Sequence, residues 1–298
     1  MILVVGDAIL DVDRRFTTTR MCPEKDDAPV LTPLHSEAEM RLGGALNVWH
    51  AIRELGTECS IISVLGNDQP GEIIRAMVGD TRRCLLAAKD DNPTTVKERV
   101  YIDGVLRYRM DNDRRTESLS TYLMLERHVL QEMALGHVDL LVLSDYGKGA
   151  LAHPENMIAA AKRDGIPVLV DPKGSNWDRY RRATVLKPNF KEYSEWDAES
   201  CDNSTFITTM GANGMIVDEF GTAEEVYGIP RTAVDVTGAG DMACAALAVC
   251  MAKGLPVLTA AQVANVLAGW SVEFQGVKTF TKQEATDECA RFGTAFPN

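Results

Sequence analysis

"VDVTGAGDMACAALA" (residues 234–248) sets two glycines and an aspartate directly against a run of small apolar residues. The apolar run predicts a buried helix over 241–254, "DMACAALAVCMAKG", ending at a glycine suited to a C-cap. A helix N-terminus exposes unpaired N–H groups and the positive end of the helix dipole, so it attracts anions. Gly238 and Gly240 let the backbone approach such a ligand closely. Asp241 in the first turn then stands beside the anion, where it would repel a bound phosphate. That placement suits a general base that takes a proton from a hydroxyl as the hydroxyl attacks phosphorus. A plain capped turn, with Asp241 favoured only by the dipole, has the same local sequence.

The remainder of the chain has the rhythm of a parallel α/β sheet. Apolar runs end in Gly, Asp or Asn: "ILVVGD", "CSIISVLGND", "LLVLSDY", "PVLVDPKG", "TVLKPN" and "TFITTMGANG". Strands buried on both faces read in this way, and ligands bind at their C-terminal ends. "ALNVWHAIRELG" (45–56) and "PENMIAAAKRDG" (154–165) predict helices between them. Two stretches break the rhythm, about 12–40 and 94–111. The second, "TTVKERVYIDGVLRYRMD", alternates on both sides of an Asp-Gly turn and predicts a hairpin. Together they predict a small β layer that projects from the core as a lid.

Composition narrows the function classes. A net charge of −12 argues against broad binding to nucleic acid or an anionic membrane. The apolar runs are too short to span a bilayer. "MILVVGDAILD" lacks a basic leader and is read as a buried strand, not a signal peptide. Seven cysteines without a CxxC pair or Cys/His ligand spacing point to free thiols in a reducing cytoplasm. An NAD-type dinucleotide site would need GxGxxG after the first strand, where the chain reads "VVGDAILD".

Four motifs in order resemble the ribokinase-like (PfkB) family of carbohydrate kinases. "RLGGALNVWHAIRELG" supplies a glycine pair with Asn three residues on, "PNFKE" the N-x-x-E motif, "TMGANG" the T-x-G-x-x-G turn and "DVTGAGD" the C-terminal signature. The resemblance implies an α/β, ribokinase-like three-layer sandwich with a mostly parallel central sheet and a small β lid, all one kinase domain over 1–298. It implies Asp241 as catalytic base, with the amides of Gly238, Ala239 and Gly240 as the anion hole. Asn189 and Glu192 would organise Mg²⁺ and the phosphates, Glu192 reaching the metal through water. Thr209, Gly211 and Gly214 would line the ATP site, with Asn265 near the adenine. Lys173, at a strand end, would lie near the transferred phosphate. Asp11, Gly43, Gly44 and Asn47 would hold sugar hydroxyls. A monovalent cation is a candidate third ion.

Within that family, "TRMCPEKDDAPVL", "TVKERVY", "RYRMD", "LSDYGKGAL" and "VLVDPKGSNWDRYRRATVLKPNFKE" resemble the group that phosphorylates D-glycero-D-manno-heptose 7-phosphate at its anomeric carbon. Asp145 and Lys148 belong to the fourth of these segments. A phosphorylated sugar needs cations on its side of the cleft, and Arg20, Lys97, Arg99, Arg107, Arg109 and Lys148 lie in or near the lid segments. Solvated charges on a β layer would look the same. Cys22 replaces the serine usual in that group, and "EKDDAP" inserts acidic residues into a substrate-side loop. The chain stops soon after "FQGVKTF", so no fused nucleotidyltransferase domain is expected within it. Edges and apolar faces of the lid strands predict a homodimer. The alternatives are a kinase for another sugar or sugar phosphate and a non-catalytic sugar-binding regulator. Intact Asp241, Asn189 and Glu192 argue against the latter.

Overall fold

The computed structural model describes residues 1–35, 38–79, 85–87, 92–112, 118–196 and 204–297. Positions 36 and 37 of the first expected lid segment lie outside the described residues. The N-terminal half runs β1 (Ile2–Gly6), β2 (Ala8–Cys22), β3 (Lys25–Pro33), β4 (Glu39–Gly44), α1 (Ala45–Glu54), β5 (Cys59–Leu65), α2 (Gln69–Val78), β6 (Leu85–Ala87), β7 (Thr95–Ile102), β8 (Val105–Asn112) and α3 (Leu119–Ala134). It continues through β9 (Leu140–Ser144), α4 (Glu155–Arg163), β10 (Val168–Asp171), β11 (Val185–Leu186), α5 (Phe190–Ser194) and β12 (Thr205–Thr209). The last elements are β13 (Gly214–Glu219), β14 (Thr222–Tyr227), α6 (Ala239–Ala252), α7 (Val257–Ser271) and α8 (Lys282–Arg291).

The central sheet has the order β14-β13-β12-β11-β10-β9-β1-β5-β6. Its strands from β12 to β6 pair in parallel, and β13 and β14 add an antiparallel edge. Both faces are covered. In β1, Ile2 and Val4 join the core beneath α1, α6 and α7, while Leu3 and Val5 join the core beneath α3 and α4. Continuous apolar strands are therefore what this position demands. Helix α6 is apolar all round because it lies between α1, α7 and the sheet, and Met242 through Cys250 are all buried. Among the described residues no helix is long and apolar enough to cross a membrane.

The second sheet is built from both expected segments, but it starts earlier and includes more. "MILVVGDAILD" is two strands broken at Asp7, and β2 leaves the core at Ala8 for a run of 15 residues. Its order is β3-β2-β7-β8, with β4 also paired to β2. Strand register explains the alternation. Asp11 lies opposite Arg41 on β4 and Lys97 on β7, which faces Asp111 on β8. Asp13 lies opposite Glu39 and Arg99, which faces Arg109. Side chains opposite one another share a face, so one face carries a charged ladder. Leu10, Val12, Leu42 and Val96 carry the other face onto the core. The β7–β8 turn holds Asp103 at φ 51° and Gly104 at φ 79°, the left-handed pair that a two-residue hairpin needs.

Candidate active site

The loop after Val234 is fixed before α6 begins. Asp235 Oδ1 accepts from the Thr237 amide (2.9 Å) and hydroxyl (2.7 Å), and its Oδ2 accepts from the Gly276 amide (2.9 Å). Burial pushes the Asp235 carboxyl up, but these hydrogen bonds outweigh it and hold the group below its ordinary value. Gly238 then turns the chain at φ 82°, and a Cβ there would press within 3.3 Å of Val277 and Asn47. At Gly240 a Cβ would meet nothing within 4 Å, so the first turn of α6 opens onto free space. The Ala239 amide, expected in the anion hole, is instead turned to the Val236 carbonyl at 3.3 Å.

Asp241 stands at this opening with both oxygens engaged. Asn47 Nδ2 donates to Oδ2 at 2.5 Å, and the Tyr146 hydroxyl donates to Oδ1. Burial raises the carboxyl above the usual aspartate range, while Tyr146, Asn47 and the Lys187 charge pull it back. Lys187 is itself buried and pairs with Asp171 across 3.1 Å. Burial pushes Asp171 up to about 6 even with Lys187 beside it. Burial alone would lower the Lys187 ammonium, but the Asp171 charge outweighs it and holds the group above its ordinary value.

Two cavities lie along the C-terminal edge of the sheet, one of them against the start of α6. One of about 390 Å³ is lined by Thr209, Gly211, Gly214 and Asn265, and by Ala239 and Gly240 of α6. The structure thus brings the residues expected at the nucleotide together beside the N-terminus of α6. Asn265 is buried there, its side-chain amide donating to the Tyr227 carbonyl at 2.9 Å. The other cavity, about 560 Å³, lies beyond the 145–149 loop and includes Asp145, Lys173 and Arg179. Asp145, expected to touch substrate, is committed to the protein. It accepts from the Gly147 amide (2.6 Å) and the Tyr180 hydroxyl (2.5 Å), and pairs with Arg179 (3.0 Å). Burial and the neighbouring Asp7 charge push it up to about 6.

Asn189 and Glu192 close a capping box on α5: the Glu192 amide donates to Asn189 Oδ1, and the Asn189 amide donates to Glu192 Oε2. Lys173 Nζ donates to Glu192 Oε1 at 2.6 Å. The motif therefore has a local structural role of its own, in capping α5. Among the described residues, no three His, Cys, Asp or Glu side chains gather as a metal cage. A single carboxylate is a suitable donor set for Mg²⁺ that arrives on nucleotide phosphates and keeps its waters.

Among the residues expected to hold the sugar, Asp11 accepts from Arg99 at 2.8 Å and lies over Gly43, where a Cβ would strike Asp11 Oδ2 at 2.1 Å. Gly44 is the N-cap of α1 and aims Asn47 at Asp241. The expected cations separate into three groups. Arg99 is held by Asp11 and Asp13. Lys97, Arg109 and Lys148 lie close enough to interact: burial lowers the Lys97 ammonium, Arg109 and Lys148 lower it further, and Asp11 opposes them. Arg109 also pairs with Asp111 at 2.7 Å. Arg20 and Arg107 do not join them. Arg20 lies nine residues beyond Asp11 on β2, roughly 30 Å at strand rise. Arg107 sits at an irregularity in β8, exposed to solvent.

Sequence reasoning missed Asp7, Tyr146, Asp171 and Lys187. Asp7 was visible only as a charge interrupting an apolar run. Lys187 was visible as a lysine ending "TVL", and Tyr146 as an aromatic next to a strand-end aspartate.

Residues 1–284 match the model of the pfkB family of carbohydrate kinases. The bifunctional protein HldE of Vibrio atlanticus (strain LGP32) is 35% identical over 306 residues, covering 96% of this chain and 63% of that protein. The chain thus spans less than two thirds of that relative's length. Among solved structures, phosphofructokinase-2 from Escherichia coli in complex with fructose-6-phosphate superposes with a TM-score of 0.73 at 18% identity, covering 98% of this chain and 99% of that one. Arabidopsis thaliana ribokinase complexed with ribose and ATP gives 0.70 at 18% identity, covering 96% and 97%. These two likenesses concern the fold.

Proposed function

The chain belongs to the pfkB family of carbohydrate kinases, and from that premise we propose that it transfers the γ-phosphoryl group of ATP to the anomeric hydroxyl of D-glycero-D-manno-heptose 7-phosphate. The observation that carries the chemistry is Asp241, a half-buried carboxylate held by Asn47 and Tyr146 at the mouth of the α6 N-terminus. The Asp241 carboxylate takes the proton of the sugar hydroxyl. The hydroxyl oxygen forms a bond to the γ-phosphorus, and the bond from phosphorus to the bridging oxygen breaks, leaving its electron pair on ADP. The N-terminal amides of α6 around Gly238 and Gly240, with the Lys187 ammonium behind them, offset the charge on the equatorial oxygens. Glu192, with Lys173 donating to it, would hold Mg²⁺. Mg²⁺, when bound, neutralises phosphate charge.

The heptose 7-phosphate reading is supported by the segments resembling that group of kinases and by the likeness to HldE. Lys97, Arg109 and Lys148 are the cations best gathered to receive the 7-phosphate, while Asp11 and Asn47 receive sugar hydroxyls. Free thiols at Cys22, Cys59, Cys244, Cys250 and Cys289 suit a reducing cytoplasm. The exposed edge strand β8, with Leu106, Tyr108 and Met110 uncovered, is the surface on which a homodimer would form.

A coupled ADP-release assay over heptose 7-phosphate, sedoheptulose 7-phosphate, fructose 6-phosphate and ribose, with and without K⁺, tests the assignment. Heptose 7-phosphate should give the highest kcat/KM. A higher value for another acceptor would reassign the substrate, and no turnover of any would favour a sugar-binding regulator.

A further inference from the structure

Two buried carboxylates, Asp7 and Asp145, fix the loop of residues 145–150. Asp7, buried at the end of β1, accepts from the amides of Tyr146 (2.8 Å), Lys148 (3.0 Å) and Ala150 (2.9 Å). Asp145 accepts from the Gly147 amide and is fixed from behind by Tyr180 and Arg179. Four loop amides are thereby tied to two buried side chains, which leaves little freedom in the backbone that carries Tyr146. The Tyr146 hydroxyl reaches Asp241 Oδ1, and Lys97 Nζ lies 5.2 Å from the centre of its ring.

The other groups around Asp241 divide. Lys187, from the end of β11, favours the ionised carboxylate. Asp11 of β2 and Asp171 of β10 disfavour it by repulsion. Asn47 of α1 donates to the second oxygen. Cys244, one turn further along α6, is buried, and its thiol is pushed far above the ordinary value by that burial.

We infer that Tyr146 is a positioning residue for phosphoryl transfer, whose hydroxyl orients the Asp241 carboxylate and, with Asn47, stabilises its charge. A carboxylate oxygen has two lone pairs. With Tyr146 on one of Oδ1 and Asn47 on one of Oδ2, the carboxylate plane is fixed and one lone pair on each oxygen remains free to take the sugar proton. Tyr146 keeps its own proton throughout. Burial and the adjacent Asp241 charge hold its phenol well above the ordinary value, so it donates a hydrogen bond without acting as an acid. This inference rests on the reading of Asp241 as the base.

The test is a ¹³C-NMR titration of the Asp241 carboxyl in protein labelled at aspartate side-chain carbons, with the resonance assigned by its loss in Asp241→Asn. No sugar is needed, so the result does not depend on the substrate being correct. Tyr146→Phe should move the Asp241 titration up by about one unit, and the acid limb of kcat/KM for heptose 7-phosphate should move with it while KM for ATP holds. Replacing Tyr146 with 3,5-difluorotyrosine, a stronger donor of the same shape, should move the titration down, and this second measurement stands if the phenylalanine variant fails to fold. An Asp241 titration unmoved by either replacement overturns the inference. An Asp241→Asn protein with normal turnover overturns the base reading and the inference with it.

Discussion

Asn47 and Asp241 are 194 positions apart in sequence and share a hydrogen bond of 2.5 Å, which joins the first turn of α1 to the first turn of α6. Two motifs that look independent in the sequence thus form one device. Asn47→Leu, close in size and without the donor, should lower kcat by roughly 10–10²-fold, given roughly 1.5–3 kcal/mol for a hydrogen bond to a charged group. KM for ATP, read in the same assay, should stay within about twofold.

Asp241→Asn keeps the shape and removes proton acceptance. Turnover should fall by roughly 10²–10⁴-fold while ATP binding, measured by calorimetry, is retained. Near-normal turnover in a folded variant would remove Asp241 from the role of base.

The pH dependence has a definite sign. Burial raises Asp241, so the carboxyl gains its proton at a higher pH than an exposed aspartate does. The base is active only when ionised, so kcat/KM should fall as pH drops through that raised value and recover above it. A profile flat down to pH values about four would show an unperturbed carboxylate.

Lys187→Met leaves the largely buried Asp171 without its cation, a change that costs up to about 3–5 kcal/mol when one partner of a buried pair is removed. In the wild-type fold, Asp171 is protonated below about 6, against 3.8 for the unperturbed group. Its ionisation therefore subtracts stability as pH rises across that window, because the native state binds more protons than the unfolded one. Without Lys187 the native value rises further. The stability deficit, measured by urea unfolding, should be large at pH 8 and shrink on acidification. A deficit independent of pH would show that Lys187 contributes through packing alone.

Much of this was legible because a parallel sheet covered on both faces leaves a strong sequence record. The runs ending at Gly6, Ser144, Asp171 and Thr209 are strand ends, and the glycine turn at 238–240 opens α6 as expected. Arg20 shows the limit. Its sequence neighbourhood places it in a substrate-side segment, but β2 runs on for 15 residues and carries it away from Asp11 within the same chain. Pairing is the other limit. Nothing local in "ERVY" says that Arg99 is spent on Asp11 and Asp13, because that follows from the register of β7 on β2. Tyr146 was hidden for the same reason: its partner lies 95 residues away.

The cations that remain after this pairing yield a sharper specificity prediction. Lys97→Met should lower kcat/KM for the sugar phosphate by about tenfold or more, since charge-assisted contacts to phosphate are worth roughly 1.5–3 kcal/mol each. KM for ATP should hold. Arg20→Met within one chain should leave both constants within about twofold. Equal losses in the two variants would mean that the strand geometry of a single chain does not define the phosphate site.

The central claim is transfer to the anomeric oxygen of a sugar that already carries a phosphate, and ³¹P NMR of the reaction mixture reads it directly. With ATP, Mg²⁺ and D-glycero-D-manno-heptose 7-phosphate, the wild-type protein should produce ADP and a second sugar-phosphate resonance coupled to the anomeric proton, in equal amounts, with the 7-phosphate signal retained. Asp241→Asn should produce neither. Formation of ADP without a new anomeric phosphate, or equal efficiency on unphosphorylated heptose, would contradict the account.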